Sequence, residues 1–375
     1  MNKRRKLKEK KLKVLVAMSG GVDSSVAALI MKKKGYDVIG AFMKNWSETK
    51  NDLGECRWKE DRKEAIKISE ILKIPLITFD FEKEYRKEVV ERMFKLYKSG
   101  ITPNPDIDCN QKIKFPLIYA AAKKLGADFI VTGHYAQVKH NKKIKKYELH
   151  RAKDESKDQS YFLYRLSQKD LEHSLFPIGS YTKNQVRKIA KENNFPNFNR
   201  KGTVGICFIG KINLKEFLQK KIKPKKGKIL NPAGKFIGYH DGIYYYTIGQ
   251  RIGPRFGIEI EKGEGKKVER WYVAKKDLEK NEIIAAPKNH PILYRKEITL
   301  KDPHWIGKIP QKNKVYNLKA RIRQVGELMP SKLFYDKKIK QFRVILKESI
   351  TGISEGQAIV LYNKKNTLGG GVIKF

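Results

Sequence analysis

A glycine-serine turn near the start of this 375-residue chain constrains its fold more than any other feature. Residues 14–16 are apolar and predict a strand, and residues 25–30 predict a buried helix. A helix N-terminus offers unpaired N–H groups and a positive dipole end, and glycine lets the backbone approach an anion closely. The turn therefore predicts an anion site, in which Asp23 can help to hold a metal that arrives with phosphates. Its residues are Ala17, Met18, Ser19, Gly20, Gly21, Val22, Asp23 and Ser24.

The sequence of the turn indicates which class of phosphate ligand it binds. It lacks the Gly-x-x-x-x-Gly-Lys-Ser/Thr pattern of the Walker loop and the Gly-x-Gly-x-x-Gly dinucleotide fingerprint. Residues 19–24, Ser-Gly-Gly-Val-Asp-Ser, resemble the pyrophosphate loop of the N-type ATP pyrophosphatases. Those enzymes cleave ATP to AMP and pyrophosphate while they adenylate a substrate. An ordinary strand-to-helix turn is the alternative interpretation.

The charge balance indicates a class of partner. The chain has 82 Lys and Arg residues against 40 Asp and Glu residues, which gives a formal net charge of +42. A protein this basic attracts polyanions, nucleic acid first. Lysine supplies most of the excess, so a compositional bias with a basic surface that binds no nucleic acid is the alternative.

The cysteines and the apolar runs bear on the cellular environment. Cys56, Cys109 and Cys207 form no Cys-x-x-Cys pair, which argues against a structural zinc site and against a secreted disulfide scaffold. We therefore expect a cytoplasmic protein. No apolar run approaches the roughly 20 residues that span a membrane. Residues 1–11 are basic without a following apolar segment, and they predict a disordered arm rather than a signal peptide.

Strand and helix patterns alternate over residues 12–209. The predicted strands are 14–18, 38–43, 76–81 and 128–132, and the predicted helices are 24–34, 58–72, 85–97 and 115–125. This alternation predicts an α/β domain with a doubly wound parallel sheet, helices on both faces and ligands at the carboxyl ends of the strands. Short runs broken by glycine and proline predict a small β-rich domain over 210–290, and residues 291–375 predict a C-terminal β-barrel.

Two cysteines lie in unusual surroundings. Cys109 follows a proline-rich stretch, which predicts a stiff loop before a helix, where helix N-termini lower a thiol pKa and favour the reactive thiolate. Cys207 lies in an apolar segment framed by Gly205 and Gly210. For each, a buried structural cysteine is the alternative, and that is the preferred interpretation of Cys56. Sequence spacing alone does not indicate that Cys109 and Cys207 meet.

Eight short motifs fall in a characteristic order along the chain. They are SGGVDS (19–24), FMKNW (42–46), TPNPD (102–106), TGHY (132–135), KDQSYFL (157–163), GICFIG (205–210), YTIGQR (246–251) and WYV (271–273). Together they resemble the bacterial tRNA-specific 2-thiouridylases, over nearly the whole chain after the basic arm. The chain departs from that pattern at residues 202–204, where Gly-Thr-Val replaces Asp-Ser-Thr, and at Ile322, where tyrosine is common.

The resemblance implies an ATP-dependent 2-thiolation of the wobble uridine of tRNA. ATP adenylates the C2 oxygen of the uridine with release of pyrophosphate, Mg²⁺ accompanies the ATP, and AMP leaves when sulfur replaces the oxygen. The resemblance further implies that Cys207 carries a persulfide, loaded by a sulfur-relay protein or a cysteine desulfurase. Cys109 then acts as the nucleophile that liberates sulfide or resolves the intermediate, and a Cys109–Cys207 disulfide is left for reduction.

The same resemblance assigns binding residues. Met43 and Gly133 lie near the adenine of ATP, and Asp106 is the acid/base and contacts the target base. The residues expected to contact tRNA are Asn104, Pro105, Asp106, His134, Lys157, Asp158, Gln159, Arg321, Ile322 and Gln357. From the residues alone, His134 after a strand is more often structural, and Asp106 is open to interpretation as a turn aspartate. We expect a monomer that acts away from membranes.

Two other functions stay open on the sequence. One is an ATP pyrophosphatase that adenylates a small molecule, which would need neither the two motif-bound cysteines nor a basic tail domain. The other is a catalytically silent RNA-binding protein. Release of pyrophosphate from ATP that depends on added tRNA separates all three.

Overall fold

The computed structural model describes residues 11–48, 56–200, 213–253, 270–324 and 326–375. The predicted arm, apart from Lys11, and the Cys207 motif lie outside these residues. Within the described part of the chain, no helix is long and apolar enough to cross a membrane.

The first 200 residues contain the predicted alternation of strands and helices. In chain order the elements are β1 (Lys13–Ala17), α1 (Val22–Lys33), β2 (Asp37–Lys44), α2 (Arg57–Ile71), β3 (Leu76–Asp80), α3 (Glu82–Tyr85), α4 (Arg92–Lys98), α5 (Pro105–Cys109), α6 (Phe115–Lys124), β4 (Phe129–Val131), β5 (Ala136–Asn141), β6 (Lys146–Arg151), α7 (Gln168–Glu172), β7 (Ser174–Leu175) and α8 (Lys183–Glu192). A 3-10 turn covers Ser160–Leu163.

Five of these strands form a parallel sheet in the order β3-β2-β1-β4-β7. Side chains alternate across a strand, so Val14 and Val16 pack with α1, α2 and α8, while Leu15 packs on the opposite face with the helices between residues 82 and 124. The predicted doubly wound sheet with helices on both faces is confirmed. Residues 17–24 lie at the carboxyl end of the central strand β1.

The surroundings of Cys109 differ from the predicted loop. π-Helical turns join α3 to α4 over Arg86–Glu91 and α5 to α6 over Asn110–Lys114, so helical structure runs from residue 105 to residue 124. Cys109 therefore ends α5, inside a helix, and the prediction of a loop was wrong. Pro105 suits the first helical position, because its φ is preset and because an N–H at this position would have no partner within the helix.

A second sheet follows in the middle of the chain. Its elements are α9 (Leu214–Gln219), β8 (Gly227–Leu230), β9 (Phe236–His240), a 3-10 turn (Ile243–Tyr245), β10 (Arg251–Ile252), β11 (Trp271–Asp277) and β12 (Glu282–Pro287), with strand order β10-β11-β12-β8-β9. Phe217 of α9 packs against Trp46 and Phe94 of the first region, with ring centroids 6.0 and 5.2 Å away. The predicted β-rich region therefore shares its core with the parallel-sheet region.

A six-stranded barrel ends the chain. After a 3-10 turn at Pro291–Leu293, its strands are β13 (Tyr294–Trp305), β14 (Tyr316–Arg321), β15 (Met329–Asp336), β16 (Gln341–Thr351), β17 (Ala358–Asn363) and β18 (Asn366–Lys374). They pair in the order β13-β16-β15-β14-β17-β18, and β18 pairs again with β13 to close the barrel, as predicted. The hairpin β5–β6 adds to this sheet, with His150 opposite Asn366. The first region thus contributes two strands to the barrel sheet.

Candidate active site

The turn after β1 has the geometry of an anion site. Gly21 is the N-cap of α1, so the first backbone N–H groups of this helix follow the turn directly. The hydroxyls of Ser24 and Ser25 each donate to the Gly21 carbonyl at 3.0 Å, and the Ser24 hydroxyl accepts from the Ser19 N–H at 3.2 Å. These bonds hold residues 19–24, which we call the 19–24 loop, in a compact turn.

Side chains from distant parts of the sequence fix this loop at Gly20. Gly20 has φ +74°, and a Cβ there would lie 2.2 Å from the Asp61 carbonyl oxygen, so only glycine fits. The Asn197 amide donates to the Gly20 carbonyl at 2.9 Å and to the Ser25 hydroxyl at 3.0 Å. Arg200 donates to the same carbonyl at 3.2 Å and pairs with Asp61 at 2.7 Å. The loop is therefore braced from two sides.

Asp23 is held by two side chains in the first turn of α1. The Lys183 ammonium donates to both of its carboxylate oxygens, at 2.7 and 2.8 Å, and the Tyr135 hydroxyl donates to it at 2.8 Å. Burial and the Asp23 charge raise the pKa of Tyr135, which stays a donor. Lys183 begins α8, after the capping box of Thr182 and Gln185. The Asp23 carboxylate of the 19–24 loop is thus paired with the Lys183 ammonium of α8.

The end of β4 meets the loop at Gly133. A Cβ on Gly133 would lie 2.6 Å from the Ser24 nitrogen and 2.8 Å from the Asp23 carbonyl carbon, so any side chain there would displace the loop. Met43, predicted to contact adenine, lies in strand β2 on the other side of β1 and is buried. Both residues occupy strand ends on the loop's side of the sheet, where open α/β sheets bind ligands.

His134 follows Gly133 and is buried. Its Nδ1 lies 2.7 Å from the Thr132 hydroxyl, its Nε2 lies 3.4 Å from Lys114 Nζ, and its ring stacks on Phe115. Burial lowers the pKa of His134 well below its ordinary value, and the nearby Lys114 charge lowers it further. The imidazole is therefore neutral near pH 7, and the Nδ1–H tautomer fits both contacts because it leaves Nε2 to accept from the ammonium.

The helix that carries Cys109 reaches this same edge of the sheet. Cys109 is fully buried, and Lys114, which contacts His134, is five residues further along, roughly 7 Å by helical rise. Asn104 caps α5 by accepting from the Ile107 N–H at 3.4 Å. Asp106 lies in the first turn and is half-buried. Asp108 instead pairs with Arg92, and burial raises its pKa. The helical segment that continues from α5 therefore contacts, through Lys114, His134, whose neighbour Gly133 packs against the 19–24 loop.

Two of the predicted tRNA-binding residues, Asp158 and Arg321, are buried between the parallel-sheet region and the barrel, and a third, Ile322, is buried in the core of the barrel itself. Asp158 accepts from Arg321 at 2.9 Å and from the Ser160 hydroxyl at 3.0 Å, and its side chain is inaccessible. Gln159 exchanges hydrogen bonds with the Tyr135 backbone at 2.8 and 2.9 Å, and Lys157 is exposed. Contact of these side chains with tRNA stays a prediction.

Sequence reasoning assigned no individual role to several residues that shape this site: Tyr135, Lys183, Asn197, Arg200 and Lys114. The capping box at residues 182–185 is a local signal for the start of a helix at Lys183. Nothing local indicates that Lys183 meets Asp23, which is 160 positions away. Within the described residues, no group of three or more His, Cys, Asp or Glu side chains is arranged to hold a metal ion.

Comparison with known proteins covers all three regions. The family model described as "tRNA methyl transferase HUP domain" matches residues 12–211, which is more than half of the chain. The model "tRNA methyl transferase PRC-barrel domain" matches residues 215–287, and the model "Aminomethyltransferase beta-barrel domain" matches residues 295–373.

Curated relatives match the chain almost from end to end. The "tRNA-specific 2-thiouridylase MnmA" of Ruthia magnifica subsp. Calyptogena magnifica is 43% identical over 366 residues, which is 98% of this chain and 98% of the relative. The chain belongs to the tRNA-specific 2-thiouridylase family. The 2-thiouridylases of Nitrosomonas europaea (43% identical, 97% of this chain and 98% of the relative) and Blochmanniella floridana (44% identical, 96% of each) are similar to it as well.

Membership of the 2-thiouridylase family confirms the resemblance drawn from the eight ordered motifs. Among solved structures, a 4-thiouridine synthetase in complex with RNA and bound ATP aligns with 56% of this chain and 50% of its own, at 17% identity and a TM-score of 0.38. That likeness is too distant to carry an argument. The roles of individual residues in this 2-thiouridylase family member therefore depend on the geometry above.

Proposed function

We propose that this chain is a tRNA-uridine 2-sulfurtransferase, which uses ATP to activate the wobble uridine of tRNA and replaces its C2 oxygen with sulfur. The observation that carries the proposal is the contact between Lys114 and His134, at 3.4 Å. It joins the helix of Cys109 to the strand end beside the 19–24 loop. This contact supports a nucleotide site and the Cys109 thiol at one edge of the parallel sheet.

The nucleotide half of the site is the 19–24 loop with Met43 and Gly133. The N–H groups at the start of α1 and the Ser19 hydroxyl suit the β- and γ-phosphates of ATP, which leave as pyrophosphate. The uridine O2 attacks the α-phosphorus, so the O2–P bond forms as the bond to pyrophosphate breaks. The adenylate is a far better leaving group than a carbonyl oxygen.

Mg²⁺ is proposed to arrive with the triphosphate. When bound, it would screen phosphate charge and stabilise the charge that develops on the departing pyrophosphate. Asp23 is the carboxylate that fits it, because it lies in the first turn of α1 beside the loop. Lys183 neutralises Asp23 and is also the cation that would contact a phosphate oxygen beside it.

The sulfur half of the site is assigned to Cys109 and Cys207. A sulfur-relay protein or cysteine desulfurase loads Cys207 as a persulfide. In one route the Cys109 thiolate attacks the Cys207 sulfur and releases hydrosulfide, which adds to C2 and expels AMP. In the other, the terminal sulfur adds to C2 first, AMP leaves, and Cys109 then displaces the thiolated base. Both routes end in a Cys109–Cys207 disulfide, which a thiol must reduce.

The target base would enter between these halves. A wobble uridine lies in a single-stranded loop, so it can be turned out without breaking a base pair. Asp106 is placed for proton transfer and base contact at the start of α5, with Asn104 and Pro105 beside it. His134 is proposed to contact base or nucleotide in its neutral form, in exchange for its bond with Lys114.

The remaining regions are proposed to hold the tRNA body. With a net charge of +42, exposed cations such as Lys157 suit phosphate contacts that carry no sequence preference. We retain 12–209 as the catalytic domain and 210–290 and 291–375 as tRNA-binding domains. The enzyme is proposed to act as a cytoplasmic monomer.

Pyrophosphate release tests this function directly. The purified chain is incubated with ATP and Mg²⁺, either with a tRNA that has a wobble uridine or with the same tRNA carrying cytidine there. We expect release only with the uridine tRNA, and we expect Asp23→Ala to abolish release while gel-shift affinity for tRNA is kept. Release without tRNA would instead support a small-molecule ligase, and tRNA binding without release would support a silent binder.

A further inference from the structure

The segment that leads into the Cys109 helix is held by both of the other regions. Residues 100–104, which we call the 100–104 connection, join α4 to α5. Lys276 of β11 donates from its ammonium to the Gly100 carbonyl and, at 2.8 Å, to the Tyr246 carbonyl. Gln357 of the barrel donates from its amide nitrogen to the Thr102 and Pro103 carbonyls, both at 2.9 Å. Three carbonyls of one short connection are thus bound by side chains of other regions.

Further contacts tighten the same junction. The hydroxyls of Thr102 and Thr247 lie 3.0 Å apart, and Gln250 accepts from the Thr247 N–H at 2.9 Å. On the barrel side, a Cβ on Gly356 would lie 2.2 Å from the Ile101 side chain and 2.7 Å from the Thr102 carbonyl oxygen. Thr247 and Gln250 belong to the YTIGQR motif at 246–251, to which the proposed chemistry assigns no role. Their contacts give this motif a structural role in the junction.

The connection continues directly into the proposed reaction centre. Asn104 caps α5, and its amide nitrogen lies 3.5 Å from the Gln357 side-chain oxygen. Asp106 lies in the first turn of α5, and Cys109 ends it. A shift of the connection would break the bonds from Lys276 and Gln357 before it could move α5. The placement of α5 therefore depends on side chains from outside the parallel-sheet region as well as on its own packing there.

We propose that Lys276 and Gln357 are positioning residues that clamp the 100–104 connection, so that α5 presents Asp106 and Cys109 to the target base. The clamp joins the two proposed tRNA-binding regions to the reaction centre. This inference rests on the proposed function, because it assumes that Asp106 and Cys109 act on tRNA.

Lys276 gives the clamp a measurable signature. Burial lowers the pKa of Lys276 to about 8, and the Glu355 carboxylate on the barrel, the charged group acting on it among the described residues, raises it in part. An ammonium has three donors for its carbonyl partners, and a neutral amine binds them more weakly. The hold of Lys276 on the Gly100 carbonyl should therefore be complete well below pH 8 and weaken as the pH rises through about 8.

Gln357 separates this inference from the direct tRNA contact predicted from the sequence. Its amide nitrogen is engaged by two carbonyls, and its oxygen faces the Asn104 amide. A direct RNA contact should contribute to affinity, whereas a clamp should contribute to the rate at saturating tRNA.

The experiment compares Lys276→Met, Lys276→Arg and Gln357→Met, with Lys275→Met as the matched control on an exposed neighbour of the same strand. Single-turnover formation of 2-thiouridine is measured at saturating tRNA, and affinity is measured by gel shift. We expect Lys276→Met and Gln357→Met to slow turnover at least about tenfold with affinity kept, because small misplacements of reacting groups are costly. Lys276→Arg keeps the positive charge and the donors, so it should recover much of the turnover rate. It should also remove the decline in turnover rate that we expect as the pH rises through about 8.

Hydrogen exchange supplies a readout that does not need activity. Amides of residues 100–109 should exchange faster in Lys276→Met and Gln357→Met than in the wild type or Lys275→Met. A wild-type enzyme without tRNA-dependent pyrophosphate release would contradict the proposed function, and the exchange data would still test the clamp. Unchanged exchange and unchanged turnover would overturn the clamp. A loss of tRNA affinity in Gln357→Met with normal turnover would overturn it for Gln357.

Discussion

Lys183 donates a hydrogen bond to each carboxylate oxygen of Asp23, at 2.7 and 2.8 Å. The pair stands at the N-terminus of α1, where the phosphates of ATP are proposed to bind. The Lys183 ammonium therefore compensates the negative charge of Asp23, which would otherwise repel the incoming triphosphate. Because the pair is neutral overall, the Asp23 carboxylate does not cancel the positive end of the helix.

The first prediction concerns this ammonium. Lys183→Met should slow tRNA-dependent pyrophosphate release by at least about tenfold, because it removes a cation that can stabilise the leaving group and leaves Asp23 without its charge partner. Affinity for tRNA should be unchanged. Lys188→Met is the matched control, since Lys188 lies on the same helix and its side chain is 77% exposed. A wild-type rate in Lys183→Met would exclude Lys183 from the nucleotide site.

The second prediction separates the two halves of the reaction. Cys207→Ser and Cys109→Ser should each abolish formation of 2-thiouridine while pyrophosphate release and tRNA binding continue, because a serine hydroxyl cannot carry or accept sulfane sulfur. Cys56→Ser is the control, since Cys56 donates to the Ser47 carbonyl at 3.1 Å, a bond that serine can replace. Mass spectrometry of digested tRNA measures the product. A Cys207→Ser enzyme that still makes 2-thiouridine would contradict the persulfide role.

The parallel sheet and the 19–24 loop could be predicted because their signals are local. Alternating strands and helices and a glycine-serine turn are visible within short windows of sequence. The start of the Cys109 helix was predicted in the wrong place. A local signal for it is nevertheless present, since Asn104 is a favourable N-cap and Pro105 is a favourable first helical residue. The two prolines therefore differ: Pro103 precedes the helix, whereas Pro105 is its first residue.

The supports of the site could not be predicted in the same way. Asn197 and Arg200 reach the Gly20 carbonyl across 177 and 180 positions, and only the closed fold brings them there. The same holds for β6, which leaves the parallel-sheet region to pair with β18 of the barrel. Periodicity shows which residues are buried, but it does not show which distant partner covers them.

The third prediction tests the buried pair of Asp158 and Arg321. Asp158→Asn should lower the free energy of unfolding by about 3–5 kcal/mol, because it leaves the Arg321 guanidinium charged and buried without its counter-ion. Glu192→Gln, which breaks the exposed pair with Lys188, should cost less than about 1 kcal/mol. Denaturant unfolding measures both. If Asp158→Asn instead kept its stability and lost tRNA affinity, the predicted direct contact with tRNA would be favoured.

The last prediction follows from the lowered pKa of His134. In the unfolded chain this imidazole takes up a proton as the pH falls through its ordinary value of 6.5, whereas the folded protein takes it up only at a much lower pH. Between those two values the unfolded state binds more protons, so acid destabilises the fold by up to about 1.4 kcal/mol per pH unit for this one group.

His134→Gln should therefore show a shallower loss of stability than the wild type as the pH falls below 6.5, whatever its stability at pH 7. His140→Gln, at an exposed position on β5, is the control and should keep the wild-type slope. Urea unfolding at a series of pH values gives both slopes. Equal slopes for His134→Gln and the wild type would mean that His134 takes up its proton at the same pH in the folded and the unfolded state. That result would contradict a neutral His134 between Thr132 and Lys114.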